Sequence, residues 1–422
     1  MALTVDCSIW IVIMWRPMLM WISALTYFED ELFIKMFQKN NTLPLGKRLK
    51  TLKRVSTYFV ENSFFIFKTK EKSLKRLGNV YEKIYDYDNV LQAHRKARKG
   101  KSKYPSVQKV NANENFYISN IVNMLKHETY EVDIKDYKKD TIVDRGKERD
   151  IYKLPYYPHR IIQWAIMLQL EDTFNKNFIT DTYASIKGKG THKCVNKIKK
   201  IIYDKPKEVR YCLKIDVRKF YPSMNNVILV NILWRKIKDV KLMKLLTKIA
   251  FSLGKRGQPI GSLMSQYFGN VYLSPLDHYI KEELKVEYYF RFCDDMVFLS
   301  DSKEELREIL KKVNYYLKTK LDIKLKDNYQ IFPTYKRGLD FLGYRFFKTH
   351  TLVRKRNIKS IKKCVHKYRN RKILNLSEAG ALNSYKGILS HADAYNFNNK
   401  YLKQFNEKFY INVKGEKVAF SF

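Results

Sequence analysis

The chain has 422 residues, which is enough for two or three domains and a sizeable core. Lysine and arginine together number 82 against 42 aspartates and glutamates, so the formal net charge is +40. Because 45% of the residues are apolar and 14% are aromatic, the composition excludes a disordered basic tail. So much like charge on a folded chain predicts a polyanionic partner, with nucleic acid the first candidate and an anionic membrane surface the weaker one.

The cysteines and histidines argue against a disulfide framework or a zinc site. No CxxC pair occurs, and the eight histidines are scattered without an HExxH or HNH-type cluster. The five cysteines lie far apart, at Cys7, Cys194, Cys212, Cys293 and Cys364. This usage is typical of a cytoplasmic protein.

The N-terminal segment 8–28 is almost wholly apolar and has about the length of a membrane span. Arg16-Pro17 interrupts it, and a charge at that depth costs about 2.5–3.5 kcal/mol. No lysine or arginine precedes the run, as a secretory signal would require. We interpret the segment as non-native coding sequence with the true start at Met36 or later; a packed helix and a membrane anchor are the alternatives. The basic stretch 47–75 reads as a surface extension.

In chain order, apolar residues at helical spacing predict helices over 79–98, 113–127 and 160–174. Alternating polarity over 130–142 predicts a strand pair, and a short strand is predicted over 210–216.

Further along, helices are predicted over 243–253 and 261–284. Apolar strands over 288–292 and 296–299 flank Cys293-Asp294-Asp295, which indicates a hairpin. A helix begins at Ser302, where Ser302 and Glu305 predict a capping box. Strands over 324–332 and 341–347 and a mostly helical, basic end complete an α+β core with helical ends.

Three carboxylates carry the predicted chemistry. Asp294 and Asp295 lie between two apolar strands, and Asp216 ends a third. Neighbouring carboxylates at a buried edge repel each other, so such a group indicates a bound cation. Mg²⁺ prefers hard oxygen ligands, and two such ions can clamp the attacking and leaving oxygens of phosphoryl transfer. A solvated turn is the ordinary interpretation of an Asp-Asp pair on its own.

The neighbouring sequence sets these carboxylates in an ordered series. The segments are Asp216-Val-Arg-Lys-Phe-Tyr221, Gly257-Gln-Pro-Ile-Gly-Ser-Leu-Met-Ser-Gln266, Phe292-Cys-Asp-Asp295 and Gly338-Leu-Asp-Phe-Leu-Gly-Tyr344. In order, spacing and residue types the series resembles motifs A, B, C and E of reverse transcriptases, and the resemblance covers roughly residues 80 to 400.

The resemblance implies a right-hand polymerase with fingers, an antiparallel palm sheet with helices, and a helical thumb. It implies an RNA-directed DNA polymerase that uses two Mg²⁺ ions, with Mn²⁺ as a substitute. Asp216, Asp294 and the Val217 carbonyl would bind metal, and Asp295 would support the metal site or the primer terminus.

Other roles follow from the same resemblance. Lys147, Arg149 and Lys187 of the fingers would meet the incoming triphosphate together with Gln266 of motif B. Tyr221 would be the steric gate that excludes a ribose 2′-OH. The remaining positions would be Ile260, Gly261 and Ser265 at the template and nascent base pair, and Leu342, Gly343 and Tyr344 in the primer grip.

The implied domains are an N-terminal extension (1–75), fingers with part of the palm (76–205), palm (206–346) and basic thumb (347–422). The thumb carries ten cations between 354 and 372, which we expect to hold the template–primer duplex. They are Arg354, Lys355, Arg356, Lys359, Lys362, Lys363, Lys367, Arg369, Arg371 and Lys372.

Ile260 and the segments 80–101 and 384–396 resemble the reverse transcriptases of diversity-generating retroelements, which copy RNA with frequent errors at adenines. The expected partners are an RNA template, a DNA or RNA primer, dNTPs and a small basic accessory protein, in a bacterial or phage-encoded cytoplasmic enzyme without a membrane partner. A defence-associated or group II intron-like reverse transcriptase is the alternative. A non-catalytic RNA-binding protein on a polymerase scaffold is the alternative from another class.

Two positions depart from the family pattern. Phe292 stands where motif C usually has tyrosine, and the lysine expected in motif D is not evident. Lys324 and Lys326 are the candidates for that lysine, so the general acid stays open.

Overall fold

The computed structural model describes residues 76–144, 146–411 and 416–420, without the side chains of Asp144, Lys147 and Ile411. These residues belong to one unit, Thr69–Phe422. The segments 8–28 and 47–75, together with Cys7, lie outside the described residues. Within the described part, no helix combines the length and apolar character that a membrane span requires.

Helices form most of the secondary structure. They are α1 Tyr81–Tyr85, α2 Tyr87–Ala97, α3 Pro105–Ala112, α4 Glu114–Lys126, α5 Ile161–Asn177, α6 Thr191–Asp204, α7 Phe220–Ser223, α8 Asn226–Lys236, α9 Val240–Ala250, α10 Leu263–His278, α11 Lys303–Lys320, α12 Thr334–Arg337, α13 Lys355–Tyr368, α14 Leu376–Leu389 and α15 Tyr395–Tyr401. The strands are β1 Lys138–Asp144, β2 Lys147–Lys153, β3 Tyr211–Asp216, β4 Tyr288–Phe292, β5 Asp295–Ser300, β6 Gln330–Pro333, β7 Leu339–Phe341, β8 Tyr344–Phe346, β9 Thr351–Val353, β10 Ile373–Leu374, β11 Phe409–Ile411 and β12 Lys417–Ala419.

A four-stranded antiparallel sheet, in the order β4-β5-β3-β6, is the centre of the fold. Helix α11 packs against β3 and β5. A single apolar cluster joins the sheet residues Phe290 and Val297 to Ile198 of α6, Ile361 of α13 and Leu382 of α14. The strands β4 and β5 are buried along nearly their whole length, and each is a mainly apolar run that meets polar residues at the turn between them.

Most of the predicted helices are confirmed. The expected α+β fold class is confirmed as well. Helices were expected over 113–127, 160–174 and 243–253, and α4, α5 and α9 occupy these positions within a few residues. The motif B helix α10 starts at Leu263, and a π-helical turn, Tyr279–Glu283, extends it. The hairpin β4–β5 is also as predicted.

The predicted strand pair within 130–142 is wrong, because the hairpin lies at β1 and β2 instead. Ion pairs cross that hairpin diagonally, as in Lys153–Asp140 at 2.6 Å, and charged residues replace the alternating apolar pattern in its sequence. Tyr130 and Tyr137 are buried although neither lies in a strand. These buried side chains in irregular structure gave the sequence an alternation of apolar and polar residues that resembles a strand.

Four smaller expectations also need correction. The strand predicted over 341–347 is the hairpin β7–β8, because two positive-φ residues turn the chain between them. The strand predicted over 324–332 is regular only at β6. The Ser302 hydroxyl caps α11 by accepting from the Glu305 amide. The Glu305 carboxylate accepts from the Ser300 hydroxyl, and not from the Ser302 amide, so only one of the two bonds of the predicted capping box forms. The helical end also contains the three-stranded sheet β10-β11-β12.

Asp239 ties the start of the described chain to α9. Its carboxylate caps α9 through the Leu242 amide and also accepts from the Val80 and Tyr81 amides, at 2.8 and 2.9 Å. Burial opposes ionisation, but the backbone amides prevail, and the pKa of Asp239 lies below its usual value. A depressed carboxyl pKa contributes stability that is present above the unfolded-state pKa and lost as pH falls below it.

We therefore predict that Asp239→Ala lowers the free energy of unfolding at pH 7 by about 1–2 kcal/mol. The difference from the wild type should shrink as pH falls through about 4. Asp86→Ala is the matched control, because within the described part of the chain the Asp86 carboxylate accepts only from the local Asp88 and Asn89 amides. Urea unfolding at pH 7 and pH 3.5 measures both effects, and an equal loss in the two variants would contradict the long-range role of Asp239.

Candidate active site

The turn between β4 and β5 brings two carboxylates to the edge of the central sheet. Phe292 pairs with Asp295, which leaves Cys293 and Asp294 as a two-residue loop. Cys293 has φ of +55°, in the left-handed region that such tight hairpins require. Arg291 donates to the Cys293 carbonyl at 2.9 Å and so holds this conformation from inside.

Asp216 joins this pair from the neighbouring strand. It ends β3 directly opposite Asp295 of β5, and its carboxyl group lies close enough to that of Asp294 to affect the ionisation of Asp294. Burial, followed by the proximity of Asp216 and then Asp295, raises the pKa of Asp294 to about 7. Burial also raises the pKa of Asp295, while Lys214, Lys326 and Arg354 oppose that rise. The sheet register therefore assembles the three carboxylates that the sequence predicted.

Lys326 supplies a cation at this site. Its ammonium group contacts the Asp216 carboxylate, and its backbone amide donates to the Asp216 carbonyl at 2.9 Å. The chain beyond α11 extends β3 here, through a bridge between Val217 and Leu325. Lys324 has an exposed side chain on the same segment. Of the two motif D candidates, Lys326 is thus the one beside the carboxylates.

The donor set fits a hard divalent cation. Among the described residues, no three His, Cys, Asp or Glu side chains stand preassembled as metal ligands. Asp216 and Asp294 nevertheless form a close pair of oxygen donors that favours a bound positive charge, and the Lys326 ammonium group provides one. The two hydrogen bonds of the Val217–Leu325 bridge run from the Arg218 amide to the Lys324 carbonyl and from the Lys326 amide to the Asp216 carbonyl. The bridge therefore does not use the Val217 carbonyl.

Tyr221 borders the carboxylates. Its hydroxyl lies close to Cys293 and Asp294, and burial followed by these two neighbours raises the pKa of Tyr221. Gly269 of α10 provides the space for this ring, because a Cβ there would lie 3.4 Å from Tyr221 Cε1 and 3.1 Å from Phe220 Cε1. The predicted gate residue is therefore fixed beside Asp294 by a glycine that the sequence analysis did not single out.

The loop before α10 contacts the β1–β2 hairpin. The Ile260 carbonyl accepts from the Tyr152 amide at 2.9 Å. Gly261 has φ of +107°, and a Cβ there would lie 3.1 Å from Ile151 Cγ2 and 3.4 Å from the Tyr152 carbonyl, so glycine is required. Ser265 is buried, and its hydroxyl has no hydrogen-bond partner among the described residues. Gln266 is exposed one turn into α10.

The predicted triphosphate cations lie in two places. Arg149 is on the exposed part of β2, the strand that contacts the Ile260 loop. Lys187 is exposed in the segment before α6. The side chain of Lys147 lies outside the described residues. Lys189 has a local structural contact, because its ammonium group donates to the Ile179 and Thr180 carbonyls. Among the described residues, no hydrogen bond or ion pair joins Lys187 to the carboxylates.

The predicted primer grip forms the turn of the β7–β8 hairpin. Leu342 and Gly343 both have positive φ, and a Cβ on Gly343 would lie 2.9 Å from Asn357 Nδ2 of α13. The Tyr344 hydroxyl donates to the Ile388 carbonyl of α14. A groove of about 570 Å³ lies between this turn and the basic segment 188–193.

Comparison with known proteins finds a matching protein family for about half of the chain. Residues 137–346 match the family described as reverse transcriptase (RNA-dependent DNA polymerase). Protein YkfC of Escherichia coli is 22% identical over 254 residues, which cover 50% of this chain and 65% of YkfC. The COX1/OXI3 intron 2 protein of Saccharomyces cerevisiae is 23% identical over 253 residues, which cover 44% of this chain and 29% of that protein. The chain thus spans less than two thirds of either relative.

Two solved telomerase structures are also similar. Apo telomerase from Candida tropicalis has a TM-score of 0.38 at 14% identity, covering 56% of this chain and 52% of its own. Telomerase from Candida albicans with a TWJ fragment of telomeric RNA has a TM-score of 0.42 at 11% identity, covering 66% and 58%.

The matched range contains every part of the carboxylate site described above. Asp216, Asp294 and Lys326 lie within it, as do the Ile260 loop and the turn at Leu342. The α+β architecture, with an antiparallel sheet that presents the carboxylates at one edge, is that of a right-hand polymerase. Residues 137–346, about half of the chain, are similar to the reverse transcriptase family.

Proposed function

We propose that the protein is an RNA-directed DNA polymerase that makes cDNA from an RNA template. The observation that carries this proposal is the meeting of Asp216 and Asp294 at one sheet edge, beside Lys326 and within the reverse transcriptase domain. The template, the DNA or RNA primer and the dNTPs would be its nucleic-acid partners, and the net charge of +40 favours them.

In this proposal Asp216, Asp294 and the Val217 carbonyl hold Mg²⁺ or Mn²⁺, and Asp295 supports them from the opposing strand. The bound ions would activate the primer 3′-hydroxyl and neutralise charge on the phosphates. Lys326 would carry its proton at Nζ for the departing pyrophosphate. Tyr221 would exclude a ribose 2′-OH, and Lys147, Arg149, Lys187 and Gln266 would bind the triphosphate.

The remaining predicted residues would contact nucleic acid. Ile260, Gly261 and Ser265 would face the template and nascent pair, and Leu342, Gly343 and Tyr344 would position the primer. We assign the fingers to 76–205, the palm to 206–346 and the thumb to 347–422, with 1–75 as an extension.

We predict that Asp216→Asn and Asp294→Asn each reduce primer extension more than about 100-fold. RNA affinity should stay within about twofold, because the basic surface is unchanged. Asp301→Asn is the matched control: its carboxylate is exposed just beyond the far end of β5. In EDTA at pH 8, Asp294→Asn should also raise the thermal midpoint by about 1–2 °C, since it removes a like-charge contact. Wild-type extension by either active-site variant would refute the metal assignment.

We further propose an error-prone enzyme of a diversity-generating retroelement, bacterial or phage-encoded and cytoplasmic, working with a small basic accessory protein. The support is Ile260 in motif B, where other reverse transcriptases place glutamine. A group II intron-like enzyme is the second candidate, and the yeast relative named after an intron favours it. A defence-associated enzyme is the remaining branch.

Apolar Ile260 cannot make the paired donor and acceptor contacts of glutamine, so the geometry of the nascent base pair would be checked less strictly.

We predict that Ile260→Gln lowers misincorporation opposite template adenine more than opposite other bases. Each 1.4 kcal/mol of restored discrimination would change the error rate by about tenfold. The bond from the Tyr152 amide uses the Ile260 backbone, so the substitution alters the side chain alone. Ile260→Leu, which stays apolar, is the control. Sequencing of cDNA from one RNA template compares the three proteins, and equal adenine errors in active enzymes would contradict the fidelity role.

The thumb supplies a separate prediction. Arg354 is bound to Asp340 and Arg371 to Glu378, whereas Lys355, Lys359 and Lys363 are exposed along α13. We predict that neutralising these three lysines to glutamine flattens the slope of log affinity against log salt by about 2–3. The same change at Lys311, Lys312 and Lys318 of α11 should leave the slope unaltered. Fluorescence anisotropy with a template–primer duplex measures it, and identical slopes for both triple variants would contradict a thumb contact.

A further inference from the structure

Arg291 is a fully buried arginine on β4, two residues before the catalytic turn. Its Nε and Nη2 atoms donate to the Asp277 carboxylate at 2.8 and 2.5 Å. Its Nη1 atom donates to Asn270 Oδ1 at 3.0 Å and to the Cys293 carbonyl at 2.9 Å. A buried charge of this kind is tolerated only when it is paired and its donors are used, as they are here.

Asp277 collects further donors at the same point. It is fully buried on α10, and it accepts from the hydroxyls of Tyr289 at 2.7 Å and Thr182 at 3.2 Å. Replacing a buried ion pair by apolar residues often leaves stability unchanged or improves it. Stability alone therefore does not explain why a charged pair stands here.

The contact with Cys293 indicates another role. The Cys293 carbonyl belongs to the two-residue turn whose next residue is Asp294, and Cys293 has φ of +55°. The planar guanidinium reaches this carbonyl while it is bonded to Asp277 and Asn270 of α10, so it connects the turn to the helix. We propose that Arg291 is a positioning residue that fixes the Cys293-Asp294 turn, and with it the Asp294 carboxylate, for binding of a divalent cation.

The same residue also holds the segment that leads to Lys187. The Arg291 amide donates to the Asp181 carbonyl at 3.0 Å, and the Arg291 carbonyl accepts from the Tyr183 amide at 3.1 Å. Asn270, which binds the guanidinium, also donates to the Ala184 carbonyl at 2.8 Å. Arg291 thus joins the metal-binding turn, α10 and the segment 181–184. This inference rests on the proposed function, because it gives Arg291 a task in the same site.

The test compares two changes in one buried network. Arg291→Lys keeps the positive charge but loses the fork that reaches Asp277, Asn270 and Cys293 together. Tyr289→Phe removes one bond to Asp277 and leaves the Cys293 contact in place. Both changes should lower the thermal midpoint. Titration of the full-length proteins with Mn²⁺, followed by electron paramagnetic resonance, should show binding weakened about tenfold or more in Arg291→Lys and within about twofold of wild type in Tyr289→Phe.

Equal Mn²⁺ affinities in Arg291→Lys and the wild type would overturn the proposal, as would equal losses in both variants. If Arg291→Lys fails to fold, the double change Arg291→Met with Asp277→Leu replaces the pair without a lone buried charge. This double variant should fold and should bind Mn²⁺ about tenfold or more weakly than the wild type. Wild-type binding would overturn the proposal, and so would failure to fold, since Arg291 would then be a structural residue. Primer extension by the wild type tests the proposed function separately, because Mn²⁺ binding is read without substrate.

Discussion

The active site depends on electrostatic repulsion between two carboxylates that the fold holds close together. Asp216 and Asp294 stand against each other at the edge of the central sheet, where burial raises the pKa of Asp294 to about 7. Two carboxylates in this arrangement favour any state that adds positive charge. In the absence of another cation the positive charge is the ammonium group of Lys326. A divalent ion would satisfy the same demand more fully, and it would leave Lys326 available to a phosphate leaving group.

The elements around the pair keep it from relaxing. The antiparallel register of β3 and β5 sets Asp216 opposite Asp295, so neither strand can shift by one residue without turning its apolar side chains away from the core. Arg291 holds the Cys293-Asp294 turn from inside, and Gly269 admits the Tyr221 ring on its outer side. The loop at Ile260 is bonded in turn to β2, the strand that carries Arg149. The proposed fidelity position thus contacts the strand that carries one of the proposed nucleotide-binding residues.

The sequence predicted the parts of this site that lie at the ends of apolar strands. Asp216, Asp294 and Asp295 could be found because each interrupts or ends a run with a strong strand pattern. The hairpin β1–β2 was missed because cross-strand charge pairs, such as Lys153–Asp140, stabilise it instead of an apolar face. Lys326 stayed open because its place depends on a bridge between Val217 and Leu325, a contact that local patterns do not encode. Arg291 was not recognised because a charge inside an apolar strand gives no sign of its partner on a distant helix.

The most direct test of the central claim is templated DNA synthesis by the full-length protein. A primed RNA template and four dNTPs would be incubated over a series of Mg²⁺ concentrations and in EDTA, with products resolved by length and sequence. The account predicts extension that copies the RNA, requires the divalent ion and disappears in EDTA. Absence of extension with both Mg²⁺ and Mn²⁺, by protein shown to be folded and bound to the primed template, would contradict it.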